Sequence, residues 1–261
     1  MSILIEGRSF EFLLLILASA FLAYYIYSAR RGYRPQIRKM APLEAIPEAI
    51  GRSVETGRPV LFSVGTSTLY SGGAPQTLAG LSVLGYTANI AVELDVKIAI
   101  PLLHPEVIPV ADEIIRQAYI TAGKVDEYDP VYSVRHYGKH TFSWTSGILG
   151  HLQREKPGAF IYMGSMLADS VMVAESGHRA GAMMIFGTAS SGQMPFIVAA
   201  ADYSLIGEEL YAAGAYLSQD PVLLGSITGQ DLTKALILAL ILLGTIFMTF
   251  GIDFLNNLFS M

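Results

Sequence analysis

Two uninterrupted apolar runs bracket this chain and constrain it more than any other feature. Phe12 to Tyr27 reads FLLLILASAFLAYYIY, and Ala235 to Ile252 reads ALILALILLGTIFMTFGI. With its flanks, each approaches the roughly 20 residues that cross a bilayer as a helix. Tyr24, Tyr25 and Tyr27 close the first run, where interfacial aromatics belong. Arg30, Arg31, Arg34, Arg38 and Lys39 follow with no acid among them. The positive-inside rule then puts the segment after the first run in the cytoplasm. Lys234 precedes the second run and no Lys or Arg lies beyond it, so both runs predict termini outside. A cleaved signal peptide is the competing reading, because Ala18-Ser19-Ala20 resembles a cleavage site. That triplet lies inside the apolar run, and the basic cluster sits on the wrong side for export. Ser19 and Ala23 form a small-xxx-small pair suited to helix packing. Neither run carries a mid-membrane ionisable residue, which argues against an ion or proton pathway through the pair.

The expected division is a tail over 1–9, a membrane helix over 10–29 and a basic linker over 30–42. A cytoplasmic domain over 43–233, a second membrane helix over 234–253 and a tail over 254–261 complete it. The middle reads as strands alternating with helices. Val60–Val64, Val96–Ile100, Val131–His136, Ala159–Met163, Ala182–Phe186 and Phe196–Ala200 have strand character. Helical stretches lie between them, at Ala74–Val92, Pro105–Tyr119, Thr141–Arg154 and about Leu167–Glu175, with a last one at Ser204–Leu217. Asp202 or Ser204 is expected to cap that last helix. The alternation predicts an α/β fold: a Rossmann-like, mostly parallel sheet with helices on both faces. The link from Gly187 to Pro195 is too short for a helical crossover, so the last strand is expected antiparallel to its predecessor.

Charge narrows the classes further. Charged residues make up 15% of the chain, against about 25% in soluble domains. Residues 40–233 keep the deficit, so the apolar runs do not explain it. No charge occurs between Arg58 and Glu93, or between Arg179 and Asp202. The helix at Ala74–Val92, with Gly80 and Gly85, is therefore buried all round, either inside its own domain or against another subunit. A net charge of −5 excludes a basic nucleic-acid binder, and zero cysteines exclude disulfides, Fe–S clusters and thiolate chemistry.

Three strands end in glycine followed by a hydroxyl residue: Gly65-Thr66-Ser67, Gly164-Ser165 and Gly187-Thr188. In a parallel sheet these ends share the edge where open α/β folds bind ligands. Gly72 and Gly73 precede the helix at Ala74, where backbone N–H groups favour an anion. His104 follows the second strand, beside Glu106, and is the best acid–base candidate. The same residues are also ordinary turn and N-cap types. Their spacing matches no dinucleotide or P-loop motif, and no Lys or Arg lies near these loops. His136 and His140 lack the helix that would make them a metal pair, and no metal or cofactor is expected.

The segments YSGGAPQTLAGLSVLGY (70–86) and AGAMMIFGTASSGQMPFIVAAADYSLIGEELYAAGAYLS (180–218) resemble an uncharacterised family of prokaryotic membrane proteins. Such proteins hold one cytoplasmic-side domain between two transmembrane helices. The resemblance implies a membrane location and assigns no activity or site residues. Three functional classes follow. The first is a self-associating scaffold or assembly subunit in the bilayer, partnered by its own copies or other membrane proteins. The second is a sensor of a small anion or nucleotide at the glycine loops. The third is a membrane-bound hydrolase or transferase at the same edge. The balance leans away from an enzyme.

Overall fold

A computed structural model describes residues 9–33, 39–218 and 220–250. The tail residues 1–8 and 251–261, with Arg34 and Arg38 of the basic cluster, lie outside the described residues. The chain divides into two compact units, Met1–Ile37 with Gln219–Met261 and Arg38–Ser218.

The first unit is a helix pair. Helix α1 (Ser9–Arg30) carries the first apolar run, and both it and the C-terminal helix are long and apolar enough to cross a membrane.

The second unit begins with α2 (Ala41–Glu44) and α3 (Ile46–Thr56), which Gly57 ends in the left-handed conformation usual for a helix terminus. There follow β1 (Val60–Gly65), α4 (Ala74–Glu93), β2 (Ile98–Leu102), α5 (Ile108–Thr121), α6 (Pro130–Ser133) and β3 (Val134–His136). Then come α7 (Thr141–Glu155), β4 (Ala159–Ser165), α8 (Asp169–Ala180), β5 (Met183–Thr188), α9 (Met194–Ala200), β6 (Tyr203–Ile206) and α10 (Glu208–Ser218). The last helix, α11 (Pro221–Thr249), belongs to the first unit and starts well before Lys234, where Asp220 accepts from the amides of Val222 and Leu223.

The strands form one sheet in the order β3-β2-β1-β4-β5-β6, and every pairing is parallel. This is the doubly wound order, with a switch point between β1 and β4. The predicted α/β architecture holds, with corrections at the last strand, the last helix cap and the third strand. Phe196–Ala200 is helix α9, whose first turn contains Pro195. The strand is Tyr203–Ile206, and it runs parallel to β5, with Ile185 opposite Tyr203 and Thr188 opposite Ile206. The crossover therefore spans 189–202 and has room for a short helix. Asp202 does not cap α10; its Oδ2 accepts from the Met184 amide at 2.7 Å, and Ser204 lies in β6. Val131–Ser133 is likewise a helical turn, because Asp129 caps the amides of Val131 and Tyr132.

Side chains alternate across each strand. One face meets α7, α8 and α9 in a core holding Trp144, Phe160, Tyr162 and Phe186. Phe160 and Phe186 cross edge to face with centroids 5.1 Å apart. Burying each such ring contributes about 1.5–3 kcal/mol. The other face meets α4, which its own domain encloses on three sides. A Cβ on Gly80 would strike the Met163 carbonyl, one on Gly85 would touch Ile114 at 3.6 Å, and Ser82 stands 3.3 Å from the Cβ position of Gly214 on α10. The uncharged surface of α4 is thus consumed mostly within the domain, with Leu78 left exposed.

Candidate functional site

The carboxyl edge of the sheet collects the glycine loops. Gly65 has φ +91° and Gly164 has φ +151°, and each needs glycine because a Cβ would run into the backbone of the neighbouring strand. β1 and β4 therefore touch backbone to backbone at the switch point. The Thr66 amide donates to the Ser165 carbonyl at 2.9 Å, and the Thr66 hydroxyl donates to the same oxygen at 3.1 Å. His104 reaches across from β2: its Nε2 donates to the Thr66 carbonyl at 2.9 Å. That bond leaves Nδ1 facing Glu106, 4.0 Å away. Thr77, on α4, donates to the Ser67 carbonyl at 3.0 Å.

The structure thus brings Gly65, Thr66, Ser67, Gly73, Gly164, Ser165 and His104 together. Gly73 packs on Ser67 and lies 3.7 Å, from its Cβ position, from Ser165. Thr188 lies one strand further along. Gly187 serves packing, its Cβ position lying 2.5 Å from the Met163 sulfur, while Gly72 faces open space. Most polar groups at this edge are engaged with one another. The hydroxyls of Ser67 and Ser165, like those of Tyr70, Ser71 and Ser191, make no side-chain hydrogen bond among the described residues.

Two polar clasps escaped the sequence reading. Gln76, 9% exposed on the first turn of α4, accepts through Oε1 from the Ala189 amide at 2.9 Å and from the Thr188 hydroxyl at 3.3 Å. It ties the β5 loop to α4 across 113 residues of sequence. Asp169 is buried beside the β4 loop and accepts from the Tyr162 hydroxyl at 2.7 Å and the Leu167 amide at 2.9 Å. Burial raises the Asp169 carboxyl above its ordinary range, and it pushes the Tyr162 phenol well up. Both clasps hold loops in place.

The histidines do not converge. His136 Nδ1 donates to the Leu102 carbonyl at 3.2 Å, and His178 Nε2 to the Ala200 carbonyl at 2.8 Å. His151 is fully buried on α7, with Arg135 and Tyr137 each 3.4 Å from its Nδ1. Arginine can only donate, so the ring proton sits on Nε2, which finds no acceptor. Burial first, and the Arg135 charge second, push this imidazole down to about 4. Among the described residues no three His, Asp or Glu side chains form a metal-ligand group.

The same edge exposes large apolar side chains. Tyr70 follows β1, Phe142 begins α7 after β3, Leu167 follows β4 and Phe196 begins α9 after β5. They are 86%, 84%, 52% and 50% exposed. The loops over 65–73, 164–168 and 187–193 contain no charged residue. The edge therefore presents a row of rings and aliphatic groups over a rigid, internally bonded base.

Fold and edge together define a doubly wound parallel α/β protein with two apolar helices at its ends. Its family is described as Domain of unknown function (DUF6754); the match covers residues 1–259, and the chain belongs to that family. Comparison with curated proteins and with solved structures returns no match.

Proposed function

We propose that this protein is an assembly subunit of a prokaryotic cell membrane, anchored by α1 and α11 and self-associating through the carboxyl edge of its sheet. The observation that carries this reading is the exposed set of Tyr70, Phe142, Leu167 and Phe196 at this edge, where the loops after β1, β4 and β5 carry no charge. Large exposed apolar side chains gathered at one sheet edge favour protein contact. The occupant is a second copy. The chain is acidic, so two copies repel each other least where charge is sparse, and the loops after β1, β4 and β5 carry none. The basic run from Arg30 to Lys39 favours a cytoplasmic domain with both termini outside.

The test is the mass of the detergent-extracted full chain. The wild type is expected as a multimer, and Tyr70→Asp with Phe142→Asp is expected to lower its mass. A clean wild-type monomer would remove the proposal.

One observation favours a second reading, a sensor for a small anion. Ser67 and Ser165 flank Gly73 at the β1/β4 switch point with their hydroxyls uncommitted, where doubly wound folds bind ligands. A thermal shift with millimolar phosphate or nucleotide, lost in Ser165→Ala, would support it; no shift would count against it.

A further inference from the structure

The amino edge of the sheet holds a cavity of about 340 Å³, beside the starts of β2 and β3. That volume suits a small molecule. The ends of α4, α5 and α6 wall it in. The buried residues that line it are Val92, Val96, Tyr119 and Ser133. Tyr119 is 9% exposed and Ser133 is 2% exposed, yet neither hydroxyl has a hydrogen-bond partner among the described residues. Buried hydroxyls normally have one. These two line a space from which a ligand can supply it. Burial first, and the Glu127 charge second, raise the Tyr119 phenol, so it stays a neutral group able to donate and accept.

The exposed residues around the cavity are charged: Asp95, Glu127 and Asp129, with Lys97. Lys124 pairs with Asp95 and also donates to the Val92 carbonyl at 2.8 Å. Glu127 and Asp129 then stand against Lys97 alone, so the rim attracts cations. Asp129 keeps one oxygen on the amides of Val131 and Tyr132, while Glu127 makes no hydrogen bond or ion pair among the described residues. The carboxylates do not gather as metal ligands, which points to an organic cation. Lys97 shows what the wall accepts. Its Nζ lies 5.4 Å from the centroid of the Tyr132 ring, which lines the cavity, and it forms no ion pair among the described residues. Arg135, outside the cavity, holds the same ring at 4.7 Å. The face of a tyrosine ring attracts an ammonium electrostatically. The Lys97 side chain is itself a butylammonium group, and it is exposed, so it can leave the ring for water.

We propose that this cavity binds a protonated primary alkylamine, whose ammonium takes the place of Lys97 on the Tyr132 ring. A primary ammonium has three N–H donors. The cavity offers three acceptors that nothing in the described chain uses: the hydroxyls of Tyr119 and Ser133 and the carboxylate of Glu127. A quaternary ammonium has no N–H and leaves both hydroxyls unmet. An anion would meet Glu127 and Asp129. The cavity lies at the opposite end of the strands from Tyr70, Phe142, Leu167 and Phe196, so it is independent of self-association there.

The test titrates butylammonium chloride into the full chain in detergent at constant ionic strength. Saturation-transfer NMR reads the bound ligand, with protein-free micelles subtracted. Saturable binding is expected, and 1-butanol, the neutral analogue, and tetramethylammonium should each bind about tenfold more weakly. Tyr132→Leu should weaken butylammonium about tenfold. Because Tyr132 also packs on the core, two rim variants that leave the fold intact keep the test sharp. Glu127→Gln should weaken binding about threefold. Lys97→Met should strengthen it about threefold, since the competing ammonium is gone. No saturable binding overturns the proposal and leaves a cavity filled by water alone. Equal binding of 1-butanol overturns the need for a cation, and equal binding of tetramethylammonium overturns the primary amine. Weaker binding in Lys97→Met also overturns it, because Lys97 would then be holding the ligand rather than competing with it.

Discussion

Acidification should cost this protein stability through His151, and the size of the effect follows from the structure. The imidazole is fully buried on α7 between Arg135, Tyr137 and Glu155, with Arg154 nearby. Burial pushes it down to about 4 in the folded chain from an ordinary imidazole value of about 6.5. Between those values the unfolded chain holds the proton and the folded chain does not. Stability therefore is greatest above pH 6.5 and falls as the pH drops toward 4. One pKa unit is worth about 1.4 kcal/mol, so the whole window is worth about 3 kcal/mol. The assay is urea unfolding of the full chain in detergent, followed by fluorescence. Trp144, the single tryptophan, lies on α7 in the same core and reports on this unit directly. Wild type and His151→Leu are compared at pH 7 and pH 4.5. The variant should lose less stability on acidification, by about 2–3 kcal/mol. Equal pH dependence in the two proteins would refute the assignment of a neutral buried His151.

Other consequences follow from the clasps and close approaches. Gly164→Ala forces a Cβ onto the Val64 carbonyl at a left-handed backbone position, and should destabilise the domain by about 1–3 kcal/mol, read as a lower Tm. Gln76→Leu removes the acceptor of the Ala189 amide; a loss of about 1–3 kcal/mol and faster hydrogen exchange at Ala189 are expected. Gly229→Leu should wedge α11 away from Leu22, seen as a lower yield of a disulfide engineered between positions 14 and 237.

Much of the fold was legible because period and length agreed. Val60–Val64 is an apolar run too short for a helix, and Ala74–Glu93 too long for a strand. Phe196–Ala200 misled because a five-residue apolar run has no distinguishing period, and Pro195 in the first helical turn outweighs its β-branched content. Tyr203–Ile206 hid because its composition is mixed, while its pairing with β5 is a long-range choice. At the carboxyl edge, glycines announced the close approach of β1 and β4 correctly. The Gln76 clasp was invisible, since nothing local marks a glutamine whose partner lies 113 residues away. The helix pair shows the same limit. Ser19 and Ala23 are exposed and turned away from α11, and packing instead uses Gly225 and Gly229, which sit outside the second apolar run.

Copies of this protein should meet through the carboxyl edge of the sheet, over the charge-free loops after β1, β4 and β5. Electron cryomicroscopy of the particle extracted from its own membrane tests it most directly. The expected result is a multimer in which Tyr70, Phe142, Leu167 and Phe196 are covered by another copy. A particle holding one copy, with that row open to solvent, would contradict it.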